Sequence, residues 1–142
     1  ISARSETDLE KVAAEVADRG RRARVIVADL ADPDASAAHA QTAVDTFGRL
    51  DTVVNNVGGA MPRPLLDTTP KVMSDAFTFN VANAHALVTA AVPLVLGSAG
   101  SGSIINITSV AGQVTYEGGA GYCGAKAAEI AMNDALRLEL NG

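Results

Sequence analysis

The feature that most constrains the fold is a regular alternation of short apolar segments with helical segments along the chain. Residues typical of a helix N-terminus stand at Ser5, at Asp32-Pro33 and at Thr69-Pro70, and after Ser5 apolar residues recur at helical spacing. The segments between the helices are short, β-branched and nearly all apolar, which is typical of strands covered on both faces. Strands separated by helices form parallel β-α-β units, so the sequence predicts an α/β fold with a doubly wound, Rossmann-like parallel sheet.

We predict four strands and four helices within a single domain over residues 1–142. Ligands of such sheets bind at the carboxyl ends of the strands, so the polar residues that follow each strand are the candidate site. The predicted strands cover residues 1–3, 24–28, 50–54 and 103–107, and the predicted helices cover residues 5–20, 32–48, 69–96 and 121–140.

Composition narrows the possible functions. The net charge is −5 and the only cluster of basic residues is Arg21–Arg24, so no nucleic-acid partner is expected. No apolar run approaches the ~20 residues that span a bilayer, so no membrane partner is expected either. The single cysteine, Cys123, rules out an internal disulfide framework and fits a cytoplasmic protein. His39 and His85 stand on different predicted helices without other ligand types nearby, so no metal site is expected.

Three polar residues in the last third of the chain form a candidate acid–base group. Ser109 follows a predicted strand, and Tyr122 and Lys126 share one face of a predicted helix because they stand four residues apart. A phenol is ordinarily protonated at neutral pH, and a nearby ammonium group stabilises its phenolate form. The Ser109 hydroxyl could then orient a substrate oxygen toward Tyr122. Taken singly, a Tyr/Lys pair is also common on helix surfaces, and a serine after a strand is often only a turn residue.

The order of these residues resembles the classical short-chain dehydrogenase/reductase family. Tyr122–Lys126 matches the family motif Y-x-x-x-K, and Ser109, thirteen residues earlier, matches its catalytic serine. Asn80, which stands 25 residues after Asn55, matches the family's helix asparagine. The resemblance covers essentially all 142 residues.

Two further motifs extend the resemblance to the cofactor site. Asn55–Gly58 matches the family motif N-N-A-G, with Val57 in place of alanine, and Asp29-Leu30 matches the acidic-apolar pair that closes a strand. The resemblance implies that Asp29 and Leu30 line an adenine pocket. It also implies that Asn55, with the backbone of Val57 and Gly58, flanks the adenosine ribose.

The resemblance further implies roles for four catalytic residues. Tyr122 would be the general acid in reduction and the general base in oxidation. Lys126 would hold the nicotinamide ribose and stabilise the phenolate of Tyr122, which also contacts the cofactor. Ser109 would polarise the substrate carbonyl, and Asn80 would hold a water in a proton relay that reaches Lys126.

The choice of cofactor depends on Arg4. NAD-binding proteins of this type keep an acidic residue at the end of the second strand, where this chain has Ala3 followed by Arg4. A guanidinium group binds a ribose 2′-phosphate well, whereas an acid repels it. We therefore expect NADP(H) to be preferred and NAD(H) to be possible. The alternative is that Arg4 is a solvated residue at a helix entry.

The resemblance implies an oxidoreductase that transfers a hydride between nicotinamide and a secondary alcohol or ketone. A 3-oxoacyl thioester, a steroid or another small carbonyl compound are the candidate substrates. The alternative is a truncated or catalytically silent homologue that acts as a binding or interaction module, although the presence of all four catalytic residues argues for an enzyme. The family pairs subunits through helices, so a dimer or tetramer is expected. The last helix is rich in small residues that allow close helix contact or ordinary packing: Gly124, Ala125, Ala127, Ala128 and Ala131.

The resemblance also implies that part of the domain is missing. The family's glycine-rich loop, G-x-x-x-G-x-G, is absent from these 142 residues, and so are its first strand and the C-terminal substrate region. We therefore expect these residues to be a segment of a longer polypeptide. The missing strand lies in the middle of the family's sheet, so we also expect a gap between the pair of strands at residues 1–3 and 24–28 and the strand at residues 50–54.

Overall fold

The computed structural model describes residues 1–140 and has a Rossmann-like α/β architecture. Each predicted strand is present at its predicted place, within a few residues at each end, and so are the first, second and last of the four predicted helices. The strands are β1 (Ser2–Ala3), β2 (Ile26–Val27), β3 (Thr52–Asn55) and β4 (Ser103–Asn106). The α-helices are α1 (Glu6–Asp18), α2 (Pro33–Phe47), α3 (Pro70–Phe77), α4 (Asn83–Ala99) and α5 (Ala120–Leu140), joined in places by short helical turns at Leu65–Asp67, Thr78–Ala82 and Val110–Gly112.

Local side-chain chemistry sets the helix ends. The Ser5 hydroxyl accepts a hydrogen bond from the backbone N–H of Asp8 and donates one to its carboxylate, at 3.4 and 2.8 Å, which starts α1. The Asp32 carboxylate accepts from the backbone N–H of Asp34 at 3.0 Å, with Pro33 in the first turn of α2. Gly48, with φ at +83°, ends α2 in the left-handed conformation.

The prediction of a single helix over residues 69–96 is wrong in one respect. A π-helical turn at Thr78–Ala82 divides this segment into α3 and α4. In this turn the backbone N–H of Asn83 bonds to the carbonyl of Thr78, five residues earlier. The cause lies in Asn80, whose side-chain amide donates to the Ala76 carbonyl at 2.7 Å. In a regular α-helix the backbone N–H of Asn80 would use that same carbonyl. The backbone hydrogen bonds therefore shift from a spacing of four residues to a spacing of five.

The four strands form two separate parallel pairs. Ser2 and Ala3 of β1 pair with Ile26 and Val27 of β2, and β3 pairs with β4 over its four residues. Within residues 1–140 no backbone bond joins the two pairs, which confirms the predicted gap. A groove of about 360 Å³ lies between them and is lined by residues of both pairs.

The core lies between β3 and the helices α2 and α4, where Ala40, Val53 and Ala91 are buried. The next residue of β3, Val54, is 58% exposed, and Ile105 of β4 is 44% exposed. Within the described residues the β3–β4 pair is thus covered on one face only. This differs from the expectation of strands covered on both faces, because within the described residues α4 packs on the Val53 side and α5 bonds to Asn106, whose strand position faces the same side.

One helical stretch, Pro70–Ala99, is long and apolar enough to cross a membrane by length and composition, with a mean hydropathy of 1.5. The statement that no apolar run approaches that length is therefore wrong. Core helices of globular domains have the same properties, and Val88 and Ala91 of this stretch are buried, with Ala91 packed in one cluster with Ala40 of α2. The expectation of no membrane partner stays a prediction.

Candidate active site

The centre of the candidate site is Lys126, a lysine that is only 2% exposed. Its ammonium group donates to the carbonyl of Ile107 at 3.3 Å and to the carboxylate of Glu129 at 2.6 Å. Ile107 directly follows β4, so the amine of α5 is fixed at the carboxyl end of that strand. Buried ammonium groups need such partners, because they have lost their hydration.

The loop after β3 meets Lys126 at Gly58. A Cβ atom on Gly58 would lie 2.7 Å from the Asn80 side-chain oxygen and 2.7 Å from the Lys126 amine. The bare glycine therefore allows the loop, the π-helical turn and α5 to approach one another closely. Lys126, Asn80 and Gly58, all predicted from the sequence, thus meet at one point.

Asn80 is fully buried and its amide has three hydrogen bonds. Its oxygen accepts from the backbone N–H of Gly59 at 2.9 Å, and its nitrogen donates to the carbonyls of Gly59 and Ala76 at 2.9 and 2.7 Å. The side chain therefore clamps the loop that follows β3 onto the π-helical turn.

Ser109 and Tyr122 flank this point. Ser109 caps the short turn Val110–Gly112 by accepting from the backbone N–H of Ala111 at 3.2 Å. That turn lies directly on α5, since a Cβ on Gly112 would come within 2.8 Å of the Lys126 carbonyl carbon. Tyr122 is half-buried one turn before Lys126, and its ring centre lies 5.9 Å from the amine. The phenol, the amine and the strand end that carries Ser109 thus occupy one region.

The residues predicted for the adenine end lie apart from this group, at the carboxyl ends of β1 and β2. Arg4 is exposed directly after β1. The carboxylate of Asp29 accepts from the backbone N–H of Ala31 at 3.0 Å, which shapes the turn after β2. The Asn83 amide donates to the Leu30 carbonyl and so connects this turn to the start of α4.

Asn55 is 3% exposed, and its side chain points away from the loop. Its amide donates to the side chain of Asn106 at 3.2 Å, and Asn106 donates to Asn133 of α5 at 2.9 Å. The three amides join β3, β4 and α5. Of the predicted segment at residues 55–58, Asn56 and Gly58 are exposed and Val57 is half-buried.

Sequence reasoning missed Glu129, Asn106 and Asn133. The register of the strands carried a signal for Asn106, because it ends an apolar strand just as Asn55 does and pairs with it. Glu129 carried no such signal, since a glutamate within a helix is usually solvated. Among residues 1–140 no three His, Cys, Asp or Glu side chains lie together to hold a metal ion, and the expectation of no metal site stays a prediction.

A nicotinamide dinucleotide fits this set of residues at its nicotinamide–ribose end. The Lys126 amine lies against the bare Gly58 backbone and is a donor that ribose hydroxyls can use. This contact lies at the carboxyl end of parallel strands, where open α/β sheets bind nucleotides. Fold and site together place the chain in the Rossmann-like α/β class, with its polar site at the carboxyl ends of the strands.

Comparison with known proteins identifies the family. The family model described as short chain dehydrogenase matches residues 1–142. An uncharacterised oxidoreductase of Mycobacterium tuberculosis is 52% identical over 128 residues, which are 90% of this chain and 49% of that protein. A 3-oxoacyl-[acyl-carrier-protein] reductase of Synechocystis is 34% identical over 97% of this chain and 56% of its own.

A solved structure agrees with these sequence matches. A 7α-hydroxysteroid dehydrogenase, in complex with NADH and 7-oxo glycochenodeoxycholic acid, superposes with a TM-score of 0.91 at 26% identity. The match covers 99% of this chain and 55% of that one. The chain therefore belongs to the short chain dehydrogenase family, and it spans about half the length of the relatives it matches.

Proposed function

We propose that this chain is part of an NADP(H)-dependent oxidoreductase that interconverts a secondary alcohol and a ketone. The observation that carries the proposal is the buried Lys126 amine, held beside the bare Gly58 backbone and one helical turn from Tyr122. A buried amine next to a phenol is the arrangement that makes tyrosine an effective acid–base group near neutral pH.

Each side chain has a defined task in the reaction. Tyr122 donates its proton to the carbonyl oxygen when a ketone is reduced, and takes the hydroxyl proton when an alcohol is oxidised. Ser109 donates a hydrogen bond to the same oxygen and orients it. The charge of Lys126 stabilises the phenolate that Tyr122 becomes. A nicotinamide cofactor held beside Lys126 and Gly58 would supply the hydride in reduction and accept it in oxidation.

Asn80 contributes through its position. All the polar atoms of its side chain are engaged with Gly59 and Ala76, so a relay water next to Asn80 would bond to its backbone carbonyl. Its side chain keeps the loop around Gly58 in place for the cofactor.

The cofactor part of the proposal rests on Arg4. The guanidinium group follows β1 directly and is exposed, as binding of a ribose 2′-phosphate requires. Asp29 and Leu30 follow the neighbouring strand and would line the adenine pocket. NAD(H) remains the second cofactor to compare, because the similar hydroxysteroid dehydrogenase was solved with NADH.

The relatives support two substrate classes, 3-oxoacyl thioesters and steroids, besides other small carbonyl compounds. The proposal also includes a cytoplasmic location, supported by the one cysteine, Cys123, which is buried and free. It includes a homo-oligomer, which sizing of the complete protein would test. Gly121 and Gly124 of α5 pack against α3 of the same chain, so a partner would contact the exposed Ala127 and Ala131.

The deciding experiment is a panel of carbonyl and alcohol substrates with NADPH and NADH, measured on the complete protein. We expect turnover that Tyr122→Phe lowers at least a thousandfold, because general acid–base catalysis and the phenolate are lost together. The matched control is Tyr116→Phe, which removes the other phenol of the chain and should leave kcat nearly unchanged. No turnover with any substrate, or full activity of Tyr122→Phe, would favour the silent homologue instead.

A further inference from the structure

The proposed reaction leaves one buried charged group without a task, the carboxylate of Glu129. Glu129 has no exposed surface, and one of its oxygens lies 2.6 Å from the Lys126 amine on the preceding turn of α5. Its other oxygen has no hydrogen-bond partner among residues 1–140. A carboxylate this deeply buried and only half satisfied is costly to the fold, so its place beside the catalytic amine calls for a reason.

No other charge in the surroundings balances Glu129. The elements packed on α5 are α3, the π-helical turn and the turn Val110–Gly112. Their charged residues are Lys71 and Asp75, which are exposed and bind each other at 2.7 Å. Farther along α5 itself, Asp134 and Arg137 are exposed. Within the described residues Lys126 is thus the one ion-pair partner of Glu129.

We propose that Glu129 is a positioning residue that fixes the charge state of Lys126 and thereby sets the pH range in which Tyr122 exchanges its proton. This inference rests on the proposed function of Tyr122 and Lys126. The buried carboxylate pairs with the amine and holds it between the Ile107 carbonyl and the Gly58 backbone. Its negative charge also opposes formation of a second negative charge on the phenol close by.

The sign of the effect follows from electrostatics alone. A buried negative charge makes every proton of the Tyr122–Lys126 pair harder to remove, whichever of the two groups loses its proton first. Replacing the carboxylate with the neutral amide in Glu129→Gln therefore makes proton loss easier. Because a charge only a few ångströms away is poorly screened in a buried site, we expect the midpoint of proton loss to fall by about one pH unit or more.

Two measurements on the complete protein test this inference. The first is an ultraviolet pH titration of the Tyr122 phenolate without cofactor, taken as the difference from the same protein carrying Tyr122→Phe. The second is the pH profile of alcohol oxidation. In both measurements Glu129→Gln should move the midpoint to lower pH. Glu129→Asp keeps the charge at a longer distance, so its midpoint should lie between those of Glu129→Gln and the wild type.

The matched control is Glu139→Gln, which removes the same charge from an exposed position of the same helix and should leave both midpoints unmoved. If Glu129→Gln does not fold, as judged by its melting, Glu129→Asp serves alone, and an unmoved midpoint in it overturns the inference. A wild type that is inactive on the whole panel would count against the proposed function, while the cofactor-free titration would still decide the role of Glu129. A folded Glu129→Gln with lower kcat but unmoved midpoints shows a purely structural residue and overturns the inference.

Discussion

At the scale of single residues, the two ends of the proposed cofactor site are built in opposite ways. Around Lys126 the polar groups are buried and hydrogen-bonded, so each of them is fixed in place. At the other end Arg4 is exposed directly after β1. The proposed nicotinamide end is thus held by buried hydrogen bonds, whereas the proposed adenine end is open to solvent.

Arg4 therefore gives a prediction about selectivity. We expect Arg4→Asp to raise the KM for NADPH at least tenfold relative to the KM for NADH, because a charged hydrogen bond contributes about 1.5–3 kcal/mol and an acid repels the phosphate. Steady-state kinetics with both cofactors measure the ratio. Arg21→Asp, the same charge change at another exposed arginine, should leave it unchanged. Equal use of both cofactors by the wild type, with no effect of Arg4→Asp, would contradict the prediction.

Single residues also show where sequence reasoning succeeds. Ser5 and Asp32 accept hydrogen bonds from backbone groups two or three residues later, so the local sequence suffices to predict their roles as helix caps. Tyr122 and Lys126 share a face through helical spacing alone. Glu129 and Asn133 depend instead on which face of α5 becomes buried, and that is decided by segments distant in the chain. Their roles therefore appear only in three dimensions.

At the scale of elements, the π-helical turn explains how one long helical segment serves both core and site. The apolar pattern of this helical segment is recognisable in the sequence. The shift in its backbone hydrogen bonds is not, because that shift arises from the contacts of the Asn80 side chain with Ala76 and Gly59. Such turns recur at functional sites of helices. Here the turn gives Asn80 the position from which it clamps the loop after β3.

The contact of that loop with α5 gives a second prediction. Gly58→Ala places a methyl group 2.7 Å from both the Lys126 amine and the Asn80 oxygen. Both atoms are held by buried hydrogen bonds and must shift, so we expect a lower Tm, and kcat/KM should fall at least tenfold as the amine is displaced. Melting curves and steady-state kinetics measure the two effects.

The control for this substitution is Gly97→Ala in α4, where the added methyl group meets no atom within 4 Å. It should leave kcat/KM unchanged and raise the free energy of unfolding by up to about 1 kcal/mol, because alanine favours a helix over glycine. A fully active Gly58→Ala would show that the close approach at this point has no part in catalysis.

At the scale of the whole molecule, the separation of the two strand pairs governs stability. The edges of the sheet toward the groove of about 360 Å³ carry backbone groups that a further strand would pair. The open face of the β3–β4 pair adds apolar surface, with Val54 58% exposed and Ile105 44% exposed. Unpaired edges and exposed apolar faces promote association between chains.

We therefore expect residues 1–142 expressed alone to melt over a broad range, to bind a hydrophobic dye and to self-associate. They should not turn over NADPH, since a groove divides β1 and β2, which Arg4 and Asp29 follow, from β3 and β4, against which the turn with Asn80 and the helix with Tyr122 and Lys126 are held. Circular dichroism melting, dye fluorescence and light scattering test this against the complete protein in the same buffer. The complete protein should melt sharply, because a strand that bridges the groove would make one cooperative sheet of two marginal pairs. A sharp transition of residues 1–142, together with NADPH turnover, would instead show that α2 and α4 alone couple the two halves strongly enough to fix the site.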